Sequence, residues 1–587
     1  MNNNSKYRFL NPYNFVRYLP EGKDNGTAEV KLLGKCPPPP HDRFVGLTGR
    51  IECKLVAKTP IFISDSEFVE GKEHRSYRFF RLIDDNGKED FAIPSTSLRG
   101  MLRSVFEAVT NSCFSVFEGE KRLSYRDIRK ARIMKPARVV ALPTTNTPGK
   151  VELCNLARVS LDLLEQNDWS CGDEAYAIIK GSRVIQLSKN PLSNSKKGWL
   201  KITGRNIPNK KNEYFFYPSQ KELQFDEAVM DDYNKVLQEQ IAGGFSTEYQ
   251  NDRLSIGDLV YVEESNGKVT NIALVKVPRL LYRNSIGDLL PEYLHPCNDY
   301  NNLCPACRVF GWVHPKPPED LNVKVAYAGR IKISHAKITE NKGTLEEFPL
   351  AILSTPKPTT TFFYLLKNGR PDFNVKYDDD GAELRGRKFY RHQDKANEQE
   401  YMRVGKIKDH QNRTIRDALR PGAKFEFTIE FENLAPVELG ALLWTIEMED
   451  GMFHKLGMGK PLGFGSVKIS INKLEILHIK ERYNSFSSSG WKTVNKDIYK
   501  KWIDLFKNTM KNKYNKDFAD LENIKDLKAI LTSVNLPIHY PRSTKKPQPD
   551  GKNFKWFMEN KKSGKMPLKL ADEDTEGFPL KFKVDFK

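Results

Sequence analysis

Residues 424–477, KFEFTIEFENLAPVELGALLWTIEMEDGMFHKLGMGKPLGFGSVKISINKLEIL, decide the fold class of this chain. The stretch opens with apolar residues in alternation, the pattern of a half-buried strand: Phe425, Phe427, Ile429 and Phe431. Pro436 then stands where a first-turn proline belongs, and a helical apolar stripe follows it: Leu439, Leu442, Leu443 and Ile446. A glycine-rich loop and the strand VKISINKLEI (467–476) complete a predicted strand–helix–loop–strand unit.

The N-terminal half predicts the same order of elements. Residues 50–63 read as a long strand, followed by a polar loop. Residues 98–109 carry a continuous apolar helical face, and Ser95 or Ser97 can cap this helix. Strand, helix and strand in both halves predict an α+β fold with two ferredoxin-like βαβ pieces around one sheet.

The chain is too long for one core, so we expect several structural parts. Residues 120–290 are predicted to be a β-rich insertion, either a second module of the core type or an unrelated one, with an acidic helix near 225–241. The other parts are an extended N-terminal segment (1–45), the first core half (46–119), a cysteine-rich element (291–320), the second core half (321–479) and a lysine-rich, helical C-terminal extension (480–587). Residues 362–366 (FFYLL) also look strand-like.

Charge points to nucleic acid as the first partner to consider. Lys and Arg number 94 against 75 Asp and Glu, a net charge of +19 that is spread along the chain. A basic face binds a polyanion by releasing condensed counterions, although a solvated basic surface without a ligand has the same composition. No apolar run long enough for a signal peptide or a membrane span occurs, so we expect a cytoplasmic protein without a membrane partner.

Three segments carry the residue types that hold single-stranded RNA. The glycine-rich loop leaves backbone amides open around one lysine (Gly457, Gly459, Lys460, Gly463 and Gly465). The helix start at residues 93–103 offers an anion site (Ser95, Ser97, Arg99 and Arg103). Residues 384–393, LRGRKFYRHQ, combine cations for phosphates with aromatic rings for bases (Arg385, Arg387, Lys388 and Tyr390). A tight turn, an ordinary capped helix and a solvated edge strand remain the respective alternatives.

Cys297, Cys304 and Cys307 form C-x6-C-x2-C, and the C-x2-C pair has the spacing of a zinc knuckle. We assign a structural zinc to these thiolates with His295 as the fourth ligand; His314 is the other histidine near in sequence, and Cys113 is a more distant candidate. Reduced, metal-free core cysteines are the alternative.

A catalytic centre is harder to find in this sequence. Asp65, Glu67, Glu70, Glu73 and His74 lie together in the polar loop after the first strand. Asp65 and His74 are our candidates for a site in which a divalent metal such as magnesium activates an attacking oxygen. An inert, solvated acidic loop is the alternative.

Four blocks, taken in order, resemble the RAMP superfamily of CRISPR-associated proteins. They are IPSTSLRGMLRSVFE (93–107), LCPACRVFGW (303–312), GRIKISHAKI (329–338) and GMGKPLGFGSVKI (457–469). FLNPYNFVR (9–17) and LRGRKFYRH are similar to a large RAMP subfamily of type III-D-like systems.

The resemblance implies a modified ferredoxin-like (RRM-like) core that grips guide RNA beside other RAMP subunits and a large signalling subunit. It also implies metal-dependent cleavage of complementary target RNA by an aspartate after the first strand. Alignment puts Ser76 at that position, and Asp65 is the nearest upstream aspartate.

Two other functions stay open at this point. A precursor-processing endonuclease would need a histidine acid–base pair, for which His74, His392 and His454 are candidates. The chain could also be a basic, zinc-containing RNA-binding protein unrelated to CRISPR.

Overall fold

The computed structural model describes residues 7–24, 26–70, 74–165, 168–203, 210–242, 252–320, 322–353, 355–547 and 552–582, without the side chains of residues 66–70. The chain divides into two compact units. Unit 1 comprises residues 1–119 and 287–587, and unit 2 comprises residues 120–286.

The described strands are β1 (Arg8–Phe9), β2 (Tyr13–Val16), β3 (Leu47–Ala57), β4 (Ser64–Glu70), β5 (His74–Phe79), β6 (Arg81–Ile83), β7 (Glu89–Ile93), β8 (Arg122–Arg126), β9 (Lys135–Ala141), β10 (Gly149–Ser160), β11 (Glu174–Lys180), β12 (Arg183–Ser188), β13 (Lys196–Lys201), β14 (Asn212–Phe225), β15 (Leu259–Ser265), β16 (Lys268–Ala273), β17 (Arg279–Ser285), β18 (Trp312–Val313), β19 (Ala326–Tyr327), β20 (Ile331–Ile333), β21 (Ala336–Glu340), β22 (Phe348–Pro349), β23 (Leu365–Lys367), β24 (Ala382–Leu384), β25 (Arg387–Tyr390), β26 (Arg413–Ile415), β27 (Lys424–Leu434), β28 (His454–Lys455), β29 (Ser466–Leu477), β30 (Trp491–Thr493) and β31 (Phe578–Pro579). The described helices are α1 (Ala28–Leu32), α2 (Ser95–Val109), α3 (Leu161–Glu165), α4 (Glu227–Ala242), α5 (Pro305–Phe310), α6 (Glu398–Tyr401), α7 (Pro436–Glu447), α8 (Ile479–Asn484), α9 (Lys496–Tyr514), α10 (Glu522–Leu531) and α11 (Phe554–Glu559). None of these helices is long and apolar enough to cross a membrane.

Unit 1 is built on an antiparallel sheet with the strand order β28-β29-β3-β27-β21-β7-β6. β3 lies at its centre and pairs with β27 on one side and with β29 on the other. Its alternate residues, from Ile51 to Ala57, are at most 1% exposed. They share one buried cluster with the apolar faces of α2 and α7, so burial on that face holds the two helices to the sheet.

Unit 2 is a closed β-barrel in the order β10-β12-β11-β13-β14-β16-β15-β9. Pairing of β9 with β10 closes the ring, and β10 also pairs with β14 across it. The helix predicted near 225–241 is confirmed as α4, whose buried side joins a barrel core cluster through Tyr233 and Leu237.

The strongly periodic segments were predicted correctly from the sequence. The α+β class is confirmed, as are the strand–helix–strand order of residues 424–477 and the helix at 98–109. The helix has an apolar face that repeats over several turns, and the strand alternates between apolar and polar residues. In each case the apolar residues are the ones that are buried.

Four local predictions were wrong. β3 ends at Ala57 because the amides of Lys58 and Thr59 turn toward the Ser466 carbonyl and Pro60 has no amide. The polar loop after it is a hairpin of β4 and β5. Neither serine caps α2: its N-cap is Pro94, and no side chain bonds there. Residues 361–363 of the FFYLL region form a 3-10 turn before β23 begins.

Buried ion pairs fasten the C-terminal extension to the rest of unit 1. Arg391, directly after β25, contacts Asp574 at 2.9 Å, and both side chains are only 2% exposed. Arg17, directly after β2, contacts Asp526 of α10 at 2.8 Å, and the Asp526 side chain is fully buried. Both pairs connect segments that are far apart in sequence, so they fix the position of β2 and β25.

We expect Arg391→Ala to lower the free energy of unfolding by about 3 kcal/mol, because Asp574 would remain buried without its direct partner. Arg370→Ala is the matched control, since its pair with Glu573 is exposed on both sides (73% and 51%), and little change is expected. Urea unfolding measures both variants. Equal stabilities for the two would contradict a structural role for the buried pair.

Candidate nucleic-acid interface and metal centre

Two lysines from distant segments meet on tyrosine rings in unit 1. The Lys388 Nζ atom lies 3.9 Å from the centre of the Tyr13 ring and 5.4 Å from that of Tyr390. The Lys460 Nζ atom lies 5.8 Å from the same Tyr390 ring. β25 and the glycine-rich loop, which were separate candidates in the sequence, therefore meet in one place.

Neither ammonium group forms an ion pair with any residue in the described ranges. Burial lowers the pKa of Lys388 to about 8, and burial also lowers the pKa of Lys460. The electron-rich ring faces offset part of the desolvation cost of the two cations. Two half-buried cations without a carboxylate are suited to an incoming anion.

Further tyrosines extend this site. The Tyr13 hydroxyl donates to the Tyr364 hydroxyl at 3.4 Å. Burial raises the pKa of Tyr540, and the nearby hydroxyls of Tyr390 and Tyr364 raise it further. We call the group the tyrosine–lysine surface: Tyr13, Tyr364, Lys388, Tyr390, Lys460 and Tyr540. Sequence patterns missed Tyr13, Tyr364 and Tyr540, because no local signal connects residues several hundred positions apart.

The two arginines of the same segment point elsewhere. Arg385 is 2% exposed and donates from Nη1 to the Leu568 carbonyl at 2.7 Å. Arg387 donates to the carbonyls of Ser112 and Cys113 and lies 3.8 Å above the Phe114 ring. A phosphate contact by Arg385 or Arg387 would require it to leave these partners.

The glycine-rich loop packs tightly on the protein's own backbone. Gly457, Gly459, Gly463 and Gly465 all have positive φ angles, between +66° and +94°. A Cβ on Gly457 would stand 2.3 Å from the Phe62 carbonyl oxygen, and one on Gly465 would stand 1.9 Å from that of Leu456. The glycines thus allow a tight turn, and Lys460 within this turn is half-exposed.

The glycine-rich loop precedes β29 near one edge of the sheet, whereas α2 follows β7 near the opposite edge. Arg99 donates to the carbonyls of Ile331 and Phe310, and Arg103 bonds to Glu107 at 2.8 Å. Both arginines line a cavity of about 490 Å³ beside aromatic side chains (Phe310, Trp312 and Tyr327). The Ser95 amide donates to His335 Nδ1 at 3.2 Å, and Ser97 lies one position before the buried Leu98.

Four buried cysteines form a group that could hold a metal ion. Cys113, Cys297, Cys304 and Cys307 have sulfur atoms that all lie within 4.8 Å of one another. Although burial opposes it, hydrogen bonds from the other three thiols lower the pKa of Cys304 well below its usual value. A thiolate is the form that binds a metal.

His295 is not a member of this group, which corrects the fourth ligand of the sequence analysis. Its Nε2 atom lies 3.0 Å from the Leu290 carbonyl and 3.2 Å from that of Gly287. Cys113 takes the fourth position from the end of α2. His314 also stays outside, where its Nδ1 atom accepts from the Lys316 amide.

A family model described as the RAMP superfamily matches residues 54–468, which is more than half of the chain. The chain belongs to the RAMP superfamily. No curated protein matches it in sequence.

Two solved structures are similar to this RAMP chain at a low level. The crystal structure of Thermofilum pendens Csc2 has 9% sequence identity and a TM-score of 0.26, with 86% of this chain and 93% of that chain covered. A chain in the cryo-EM structure of the Type III-B Cmr-beta bound to cognate target RNA has 11% identity and a TM-score of 0.18, with 72% and 96% covered.

The candidate catalytic residues of this RAMP chain do not meet. Asp65 forms an ion pair with Arg78 at 3.0 Å. His74 stands at the far end of the β4–β5 hairpin, four residues from Arg78, or about 13 Å along the strand. Its Nδ1 atom lies 2.9 Å from the Asp409 carbonyl and its Nε2 atom 2.8 Å from the Thr414 hydroxyl. Glu73 and the side chains of Glu67 and Glu70 lie outside the described residues.

The other two histidines that the sequence offered for acid–base work are also buried. His392 is 1% exposed and contacts Ser466 and Asp394, while His454 is 1% exposed and contacts the Ile446 carbonyl. Burial lowers the pKa of His454 to about 4, so its imidazole is neutral near pH 7. Within the described residues, none of these three histidines hydrogen-bonds to another of them or to the same partner as another.

We expect Gly465→Ala to lower the free energy of unfolding by about 3 kcal/mol, combining left-handed strain of about 1 kcal/mol with overpacking against Leu456. Gly451→Ala is the matched control, since its φ is +77° and no atom lies within 4 Å of the added Cβ. Urea unfolding compares the two. A Gly465 variant no less stable than the Gly451 variant would mean that the loop is not tightly packed.

Proposed function

We propose that this RAMP chain is an RNA-binding subunit of a type III CRISPR effector complex and that its tyrosine–lysine surface holds guide RNA. The observation that carries the proposal is the pair of ammonium groups on tyrosine rings, at Lys388 and Lys460, without an ion pair among the described residues. Family membership supports the complex, and the chemistry of this surface supports the ligand.

Single-stranded RNA offers the two groups that such a surface binds. Its phosphates supply the anions that Lys388 and Lys460 lack, and its bases can stack on tyrosine rings that are partly exposed: Tyr364, Tyr390 and Tyr540. Neither contact reads a base edge. The surface therefore suits a strand that is held irrespective of its sequence, as a guide must be, while base pairing with the target RNA supplies specificity.

The start of α2 is the second element of the proposal. Arg99 and Arg103 line the cavity of about 490 Å³ there, and burial together with repulsion from Arg103 lowers the pKa of Arg99. A phosphate would relieve that repulsion. The glycine-rich loop adjoins β29 and α2 follows β7, four strands away, or about 19 Å across the sheet.

A ferredoxin-like core is also part of the proposal. β3, α2, β21, β27, α7 and β29 follow in chain order, and the sheet order of the four strands is β29-β3-β27-β21. This order supports a split βαβ arrangement, in which each helix connects two strands that have another strand between them. Such a sheet supports a guide-holding role beside other RAMP subunits and a large signalling subunit in the cytoplasm.

The proposal assigns RNA holding to this chain and does not include cleavage of the target RNA. The Asp65 carboxylate is engaged by Arg78, and His74 has both ring nitrogens in contact with protein oxygens. The guanidinium offsets the carboxylate charge that a divalent metal such as magnesium would need at Asp65.

We further propose that the four cysteines bind a structural zinc ion. A tetrahedron with Zn–S bonds of 2.3 Å has sulfur–sulfur edges of about 3.8 Å. The Cys113 sulfur lies 3.7 Å from that of Cys297, 3.5 Å from Cys304 and 3.7 Å from Cys307. These spacings fit four thiolates around one zinc and would tie the end of α2 to α5.

We expect Lys388→Ala and Lys460→Ala each to weaken binding of single-stranded RNA about tenfold, the loss of one hydrogen bond to a charged group of about 1.5 kcal/mol. The slope of log affinity against log salt should fall by about 0.7 for each lost phosphate contact. Fluorescence anisotropy over a salt series measures both quantities.

Lys88→Ala is the control, since that lysine is exposed and pairs with Asp90. A bound phosphate would raise the pKa of Lys388 from about 8, so RNA affinity should fall as the pH rises through 8. Lys388→Arg keeps its charge and should reduce this pH dependence. Unchanged salt slopes for both alanine variants would refute the proposal.

For the metal, we expect elemental analysis to find one zinc per chain. Cys113→Ser and Cys304→Ser should lose it, because each removes one thiolate ligand, whereas His295→Ala should retain it. The opposite pattern, with zinc kept by Cys113→Ser and lost by His295→Ala, would restore the ligand set inferred from the sequence.

A further inference from the structure

Three cations lie side by side on the closed barrel of unit 2. Lys180 ends β11 and Arg183 begins β12, and the two are Cα partners across a tight turn in which Gly181 has a φ of +62°. The Arg158 amide donates to the Ser182 carbonyl at 2.9 Å, which fixes this turn against β10. Arg158 is also the Cα partner of Arg183. We call Lys180, Arg183 and Arg158 the cation row.

The cation row presents its three side chains on one face of the barrel wall. Residues directly opposite each other in paired strands point to the same side of a sheet. Neighbouring strands are about 4.8 Å apart, so the row extends over about 10 Å. All three residues are exposed. Within the described parts of the chain, none of them has a side-chain hydrogen bond or an ion pair.

This row is unfavourable for the protein on its own, because like charges directly opposite each other destabilise a sheet. Other exposed lysines of the same barrel have a carboxylate on the neighbouring strand. Lys197 contacts Glu174 at 2.9 Å, and Lys150 contacts Glu222 at 3.5 Å. The cation row departs from this charge pairing, and an external anion would relieve its repulsion.

An aromatic residue continues the cation row on the next strand. Tyr214 of β14 is the Cα partner of Arg158, and it is half-exposed. Arginine binds a phosphate through two parallel hydrogen bonds, and a base can stack on a tyrosine ring. Protein interfaces exclude charged residues from their centre, whereas nucleic-acid interfaces are polar and strongly positive. The row with its adjoining ring therefore favours a nucleic-acid strand over an acidic protein.

We propose that the cation row of unit 2 is a second RNA site, which binds the phosphates of a single-stranded segment irrespective of its sequence. The inference rests on the proposed function, since it takes RNA as the ligand of this chain. It adds a contact on the barrel, whereas the tyrosine–lysine surface belongs to unit 1. The barrel insertion thereby takes part in holding RNA.

The experiment measures binding of a single-stranded oligouridine to the full chain by fluorescence anisotropy over a salt series. Arg158→Gln/Arg183→Gln should weaken binding about a hundredfold, or about tenfold for each lost contact. The slope of log affinity against log salt should fall by about 1.4, or about 0.7 for each of the two phosphates. Arg158→Lys/Arg183→Lys keeps both charges and should retain the slope. Lys150→Gln/Lys197→Gln is the matched control, because it removes the same charge from two exposed lysines that have carboxylate partners.

The same variants in a Lys388→Ala/Lys460→Ala background separate the two sites. There the Arg158→Gln/Arg183→Gln change should again lower the salt slope by about 1.4. If it binds RNA as the matched control does in both backgrounds, the inference is overturned. If polyglutamate of equal length competes in this background as strongly as RNA, the row takes any acidic chain and the inference is overturned as well. In both cases a lower salt slope for the Lys388 and Lys460 variants would leave the proposed function standing.

Discussion

The antiparallel pairing of β2 with β25 is the constraint on which the candidate RNA surface depends. It sets Tyr13 opposite Tyr390 and brings the Tyr13 ring under the Lys388 ammonium, two positions along the partner strand. A slip of one residue would turn Lys388 to the other face of the pair. Because the pair is short, its register is fixed by the buried Arg391–Asp574 and Arg17–Asp526 contacts rather than by the ladder alone.

β25 also connects the two candidate sites. Neighbouring residues of a strand point to opposite faces, so Lys388 faces the tyrosines while Arg387 reaches the carbonyls of Ser112 and Cys113. Cys113 is the fourth member of the cysteine group, which places that group next to the strand that carries the proposed RNA contacts. A zinc ion there would stiffen the end of α2 and, through Arg387, the strand itself.

The buried arginines of unit 1 and the two lysines on tyrosine rings differ in the kind of partner they have, and this difference is the main support for a binding site. Arg308, Arg385 and Arg391 are buried and bonded to a carboxylate or a carbonyl, as cations that support a fold must be. Lys388 and Lys460 are half-buried on ring faces and have no carboxylate. Desolvating these two lysines costs free energy that the fold recovers only in part from the tyrosines, and a phosphate would supply the remainder.

The sequence by itself determined the α+β class, the strand–helix–strand order around residues 424–477, the helix at 98–109 and the three cysteines near 300, because periodicity and short spacings are local. It also supplied Lys388, Tyr390 and Lys460 as candidates. Only the tertiary structure decided that these three meet, that Tyr13 joins them, that Arg385 turns inward, and that Cys113 rather than His295 completes the cysteine group. Such contacts join residues up to several hundred positions apart, and they arise from strand pairing and burial that no local pattern encodes.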